Sequence, residues 1–295
     1  MTRGFISYHP LINFLFFVGA LGFGMMLSHP IFSLCALVIA LCEYLLLNRG
    51  KNKKSLLWYC VIFLMVLIFN ALLNPLGETI LFCWLNNRPV TLEAIIYGGV
   101  VGMNFAAVML WFNCYNYIMT TDKFTYLFGR FVPSITLVLT MILRLIPLLQ
   151  KKTKNIVSAR NCIGKSKKGN GFKDALQSGM EVLSILTSCA LEDAVITADS
   201  MRSRGFVDQK HSSYLFYRWE IRDCILLGFY MLCSAVLIVS IGTGAVSVQY
   251  FPTIVFSENR QVAVLGLIAY GLFLVIPIFV DLSEDIKWHI LKSKI

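Results

Sequence analysis

"FVPSITLVLTMILRLIPLL", residues 131–149, is long and apolar enough to read as a membrane crossing, yet it carries Arg144 near its middle. Whether this stretch crosses decides the fold. An α-helix needs about 20 largely apolar residues to span the hydrocarbon core. A charged arginine at the bilayer centre opposes insertion by about 2.5–3.5 kcal/mol. Pro133 and Pro147 bracket the run, and Pro147 bends any helix that continues through it.

The flanking charges answer the question. Downstream, Lys151, Lys152, Lys154, Arg160, Lys165, Lys167, Lys168 and Lys173 follow one another with no acid until Asp174. A second basic cluster, Arg49, Lys51, Lys53 and Lys54, lies far upstream, whereas 74–93 and 242–261 are nearly neutral. Basic loops stay on the cytoplasmic side of a membrane. That rule puts 48–55 inside, 74–93 outside and 114–130 inside again. One more crossing at 131–149 would strand the long basic segment outside. The stretch is therefore expected to lie along, or dip into, the cytoplasmic side and to run out through Lys151–Arg160.

The rest of the chain supports this frame. It has 295 residues, 57% of them hydrophobic and only 14% charged, which excludes an ordinary soluble domain. Apolar runs at Leu11–Leu27, Ile31–Leu47, Leu56–Leu73, Ala94–Asn113, Asp223–Ile241 and Val262–Val280 predict six spans. The first reads as a span and not as a secretory signal, because no small-residue cleavage site follows it. The expected fold is all-α: a polytopic helical membrane protein of about six spans with a cytoplasmic or interfacial coupling-helix insertion. Its parts are N-terminal transmembrane helices at 1–121, the coupling region at 122–210 and C-terminal transmembrane helices at 211–295.

Local signals refine the picture. His9-Pro10 and His29-Pro30 open the first two runs, since proline suits a first helical turn, and they suggest a tight hairpin of two helices. Gly98 and Gly102, with Ala106 one turn on, form a small-residue stripe that lets another helix approach closely, in this chain's own bundle or in a partner. Over 174–204, Leu176, Met180, Leu183, Leu186, Ala190 and Ala194 recur at helical spacing. Glu181, Glu192, Asp193 and Asp199 interrupt that helix too often for a lipid span. Asp174 suits its first turn, and Gly205 suits a left-handed C-terminal cap.

Chemistry-bearing motifs are scarce. Nine cysteines without a C-x-x-C pair and four scattered histidines (His9, His29, His211, His289) indicate neither a metal site nor a disulfide framework. Gly164-Lys165-Ser166 imitates the end of a phosphate-binding loop. Ala159 replaces that loop's first glycine, and the segment follows a helical pattern where the motif needs a strand. No cofactor is expected, and no nucleic-acid partner, because a basic loop between spans accounts for the lysines. More informative are two arginines among small residues, each near the end of a predicted helix: Ala159-Arg160-Asn161 and Ser203-Arg204-Gly205. Such an end can fork onto a partner's carboxylate. It can equally cap its own helix and meet anionic head groups.

With these features in place, the chain resembles the transmembrane T component of energy-coupling factor (ECF) transporters, the family that includes the cobalt-transport protein CbiQ. "NPLGETILFCWLNNRPVTLEAIIYGGVVG" (74–102) is similar to the family's middle region, and "DKFTYLFGRFVPSITLVLTMILRLIPLL" (122–149) to the start of its coupling region. "ADSMRSRGF" (198–206) resembles the second of two short Ala-Arg-Gly signatures, with Ser203 in place of alanine. Ala159-Arg160-Asn161 would be the first, with asparagine in place of glycine.

The resemblance implies a non-catalytic subunit of the plasma membrane of a prokaryote. Its partners would be two ABC-type ATPases, a membrane S component that captures a vitamin or metal ion, and anionic lipid at the cytoplasmic face. Arg160 and Arg204 would dock into grooves on the ATPases. Arg202 would be a lesser helper. A stand-alone secondary transporter and a nucleotide-binding membrane enzyme are the rival readings. In a variant lacking other reactive thiols, a cysteine introduced at 150 is expected to react with an impermeant reagent from the cytoplasmic side only.

Overall fold

The computed structural model describes residues 4–48, 53–74, 77–84, 88–129, 133–164, 172–205, 217, 219–251, 255–256 and 259–292. After a short 3-10 turn (Phe5–Ser7), the helices are α1 (Pro10–Met26), α2 (Pro30–Asn48), α3 (Lys53–Leu73), α4 (Leu92–Ile118), α5 (Thr121–Gly129), α6 (Pro133–Cys162), α7 (Phe172–Ser203), α8 (Ile221–Gly242) and α9 (Arg260–Lys292). Two hairpins, β1 (Ile80–Trp84) with β2 (Arg88–Thr91) and β3 (Val248–Gln249) with β4 (Val255–Phe256), interrupt them. The chain divides into two compact units, Met1–Phe124 with Tyr217–Ile295, and Thr125–Phe216.

Among the described residues, five helices are long and apolar enough to cross a membrane: α2, the Leu56–Leu73 part of α3, α4, α8 and the Arg260–Lys287 part of α9. The expected first span, α1, has 17 residues, about 26 Å at 1.5 Å per residue. It runs from the Phe5 end of the bundle to Leu27, whose carbonyl accepts from Asn104 Nδ2 at 3.1 Å, about three turns into α4. The run at 131–149 falls in α6, which is not among the five.

Both His-Pro pairs start helices in the same way. His9 Nδ1 accepts from Leu11 N–H at 3.2 Å and His29 Nδ1 from Ile31 N–H at 3.3 Å, while Pro10 and Pro30 hold the first helical position. Each imidazole thus satisfies an amide that the helix leaves open. Burial lowers both histidine pKa values, which keeps these rings neutral and able to accept. The expected tight pairing of the two helices is corrected by the structure: α1 packs chiefly on α4 and α8, and α2 on α4 and α9.

The core of the first unit is aromatic. Phe16 stacks on Phe273 (5.5 Å) and meets Trp111 edge-on (5.3 Å), and Tyr230 lies 5.0 Å from Phe273. These rings come from α1, α4, α8 and α9, so one cluster joins helices far apart in sequence. The small-residue stripe of α4 serves this chain's own bundle. A Cβ on Gly98 would stand 3.1 Å from Leu67 O and 3.0 Å from Asn70 Cβ, and one on Gly102 would stand 3.0 Å from the Phe63 ring, all on α3. Ala106 is buried one turn further.

The polar contacts sort the loops to the two ends of the bundle. At one end, Tyr250 donates to Ser28 O at 2.5 Å and packs against Tyr97, beside Phe251. The first turns of α4, the stretch around Tyr250 and the α1–α2 turn thus meet at that end. Read as neutral loops, the segments 74–93 and 242–261 contain the hairpins β1–β2 and β3–β4. Gly77 adopts a φ of +144°, and a Cβ there would stand 2.6 Å from Glu93 Oε2. That carboxylate lies in the first turn of α4, which Thr91 caps, and accepts from Thr79 Oγ1 at 2.8 Å.

At the other end, the 3-10 turn is clamped from two sides. Asp281 Oδ1 accepts from Phe5 N–H at 2.6 Å, and Lys123 Nζ donates to Ile6 O at 2.5 Å and Ile118 O at 3.3 Å. With its amide oriented to suit both neighbours, Asn13 donates to Phe5 O and accepts from Lys123. Burial pushes Lys123 down to about 8, and the surrounding carbonyls compensate its ammonium in part. Helix α9 runs past the expected end at Val280 to reach this cluster with Asp281. Trp219 stacks on His9 at 4.2 Å, and Arg222 lies over the Tyr8 ring.

Gly98→Val and Gly102→Val are each expected to destabilise the detergent-solubilised protein by about 1–3 kcal/mol through overpacking against α3. Gly99→Ala meets nothing within 4 Å and is expected to be neutral or mildly stabilising. Thermal-unfolding midpoints of the three variants check this ordering.

Candidate functional site

The second unit carries the residues singled out by their helix-end arginines. Its two long helices, α6 and α7, form an antiparallel pair. Lys152 pairs with Asp193, and eight residues along α6 Arg160 reaches back to Glu181 and Ser178, so the partner positions run in the opposite direction. The half-buried positions of α6 over this stretch are Leu149, Lys152, Thr153, Ile156 and Arg160, one stripe at helical spacing. On α7 they include Ser178, Val182, Leu186, Cys189 and Asp193.

Arg160 sits in the last turn of α6. Its Nη1 donates to Ser178 O at 2.9 Å and its Nη2 to Glu181 Oε2 at 2.5 Å. The guanidinium side chain is 12% exposed, against 51% for Glu181. It is therefore a clasp within its own hairpin, with both terminal nitrogens already engaged. The left-handed residue that ends this helix is Gly164 (φ +73°), not Asn161, whose carbonyl accepts from Gly164 N–H at 3.1 Å. Ala159 and Asn161 lie inside the final turn and are exposed. Helix α6 continues through Pro147, and Arg144 is exposed.

Arg204 is arranged differently. Helix α7 ends at Ser203, and Gly205 closes it with φ +69° and an N–H donated to Arg202 O at 3.0 Å, as its position in the sequence suggests. Arg202, Ser203 and Arg204 are exposed, and the Ser203 hydroxyl turns back to Ser200 O. Where Arg160 is folded onto α7, Arg204 projects from its helix end. The two arginine motifs, alike in sequence, differ in what they offer a neighbour.

The expected apolar face of α7 is largely uncovered. No residue of this helix is buried, and Leu176, Met180, Leu183, Leu191, Val195 and Ile196 are all more than half exposed. Only Leu186 and Ala190 of the expected set are half-buried. The contact with α6 combines the two ion pairs with half-buried Leu149, Ile156, Val182 and Leu186. Glu181 and Asp193, read from the sequence only as obstacles to a lipid span, are the acids that fasten the hairpin. Two basic positions on one helix and two acids on the next, joined by a glycine-bearing link, were the signal for it. Of the G-K-S imitation only Gly164 is described; Lys165, Ser166, Lys167 and Lys168 lie outside the described residues, as do Arg49 and Lys51. The part before them is helical, not a strand.

No protein-family model matches the chain, and no curated protein sequence matches it. No group of three or more His, Cys, Asp or Glu side chains that could hold a metal occurs among the described residues.

A charged hydrogen bond to a carbonyl contributes about 1.5–3 kcal/mol and an exposed ion pair about 0–1 kcal/mol. Arg160→Ala is therefore expected to raise local opening of the α6 end about tenfold or more, and Glu181→Gln by only a few-fold. Amide hydrogen exchange over 155–163 measures both.

Proposed function

We propose that this chain is the T component of an ECF-type ABC importer in the plasma membrane of a prokaryote. In this reading six spans hold the protein in the bilayer, and the α6–α7 hairpin faces the cytoplasm. The single observation that carries the proposal is helix α7. It has 32 residues, buries none of them, and leaves a continuous apolar face uncovered. An amphipathic helix of that length is stable in water only with its apolar face covered. The hairpin contact does not cover it, so a partner or a membrane surface must.

The charges suit a coupling role. The exposed Arg204 at a glycine-capped helix end is the better placed of the two arginines to enter a groove on an ATPase subunit. Arg160 would act partly by holding the hairpin in shape, and partly through the surface that Ala159 and Asn161 leave open around it. The apolar faces would support the S component, whose cargo would be a vitamin or metal ion. ATP hydrolysis would belong to the two ATPases, and this subunit would transmit their motion. Lysines along α6 suit anionic head groups at the same face.

The test is co-purification from native membranes with identification of bound subunits. Wild-type chain is expected to bring two ATPases and a substrate-binding membrane protein. Arg204→Glu is expected to reduce ATPase association at least tenfold while the α6–α7 exchange protection stays intact. Arg160→Glu is expected to lose both association and protection. Wild-type assembly and uptake in the double glutamate variant, or purification of the chain without ATPase partners, would overturn the proposal.

A further inference from the structure

Helices from four parts of the sequence meet around a carboxyl group that has no partner. Glu43, on α2, is 0% exposed, and neither of its oxygens accepts a hydrogen bond. Within electrostatic reach are Asp281 of α9, Tyr230 of α8 and Cys114 of α4. Its helical neighbour Tyr44 packs edge-on against Tyr59 of α3 at 5.8 Å. The hydroxyls of Tyr44 and Tyr230 and the indole nitrogen of Trp111 are also buried in the first unit without partners. Farther along α9, Glu284 and Asp285 add to the field at Asp281. Among the described residues, no ion pair joins a cation to Glu43 or Asp281. Lys123 is committed to the Ile6 and Ile118 carbonyls, and Arg222 pairs with Glu220.

An ionised carboxylate cannot rest in such a place. Taking one out of water without a donor or counter-charge costs several kcal/mol, and a second carboxylate nearby adds repulsion. A metal cation would need several oxygen ligands. The described residues bring no third metal-ligating acid, histidine or cysteine into a shared site, and the indole N–H of Trp111 can only donate.

We propose that Glu43 is a proton-binding site buried in the membrane bundle, towards the end where Asp281 holds the 3-10 turn. It stands as a neutral acid, its O–H and C=O available to the unpaired hydroxyl of Tyr230 through one water. The bound proton lets α2 close on α4 and α9. Its loss sets the Glu43 carboxylate against Asp281 and opposes that packing. The proton therefore stabilises the fold as any ligand bound only by the native state does.

The experiment is infrared difference spectroscopy of the full-length protein in lipid nanodiscs, wild type minus Glu43→Gln. The expected result at neutral pH is the carbonyl band of a protonated carboxyl, shifted in heavy water and converted to a carboxylate band as pH rises. The thermal midpoint of Glu43→Gln is expected to match wild type at pH 6 and to exceed it at pH 9. A carboxylate band from Glu43 at neutral pH overturns the proposal. So does loss of the protonated band when sodium replaces choline at constant pH, which would mark a metal-cation site. A midpoint lowered equally at both pH values also overturns it. Should Glu43→Gln fail to accumulate, Glu43→Asp keeps the acid and moves the band, and the same comparisons apply.

Discussion

Hydrocarbon offers no hydrogen bonds, and that constraint shapes the first unit from end to end. Every amide that enters the bilayer must be satisfied within its own helix, and every helix end must find its partner before the lipid begins. Histidine caps at α1 and α2, the reciprocal Glu220 and Asp223 cap at α8 and the Thr91 cap at α4 all answer this demand. The clamp on the 3-10 turn answers it for the segment before α1. Asp281, Lys123 and Asn13 supply the partners that water would otherwise provide.

The same constraint explains why much of the fold was legible in the sequence. Long apolar runs separated by charge leave few alternatives, and α2, α4 and α8 lie close to the stretches that hydropathy marks. Pro10, Pro30 and Gly205 sit where their backbone preferences place them. Less legible was whatever depends on which helix meets which. The turn between α1 and α2 is short, yet their packing surfaces face other helices, because the aromatic core draws α1 towards α8 and α9. The hairpins β1–β2 and β3–β4 hide in short neutral segments whose periodicity is too brief to register. Helix α9 extends beyond its apolar run because Asp281 has a partner at Phe5 that hydropathy cannot see.

The candidate site shows a similar division. Sequence spacing located both arginine ends, but not the difference between them. Arg160 is drawn inward by Glu181, a residue on another helix and 21 positions away. Among the described residues no acid pairs with Arg204, which stays exposed. Similar short motifs thus acquire different chemistry from their surroundings. The uncovered face of α7 was legible as amphipathic. That α6 would leave most of it free was not, because ion pairs to Glu181 and Asp193 fasten the hairpin on a different face of α7.

Helix α3 illustrates what a glycine seam does to a membrane helix. Only 6% of its apolar window is buried, and Leu57, Trp58, Leu64, Met65, Phe69 and Leu73 point outward. Its closest approach to α4 runs from Phe63 to Asn70, where the glycines of α4 leave no side chain in the way, and Tyr59 packs on Tyr44 of α2. The information that fixes α3 in place is therefore written mostly on α4. Across the rest of its circumference, the identity of each residue matters less than its solubility in lipid, so α3 can drift in sequence while keeping its seat.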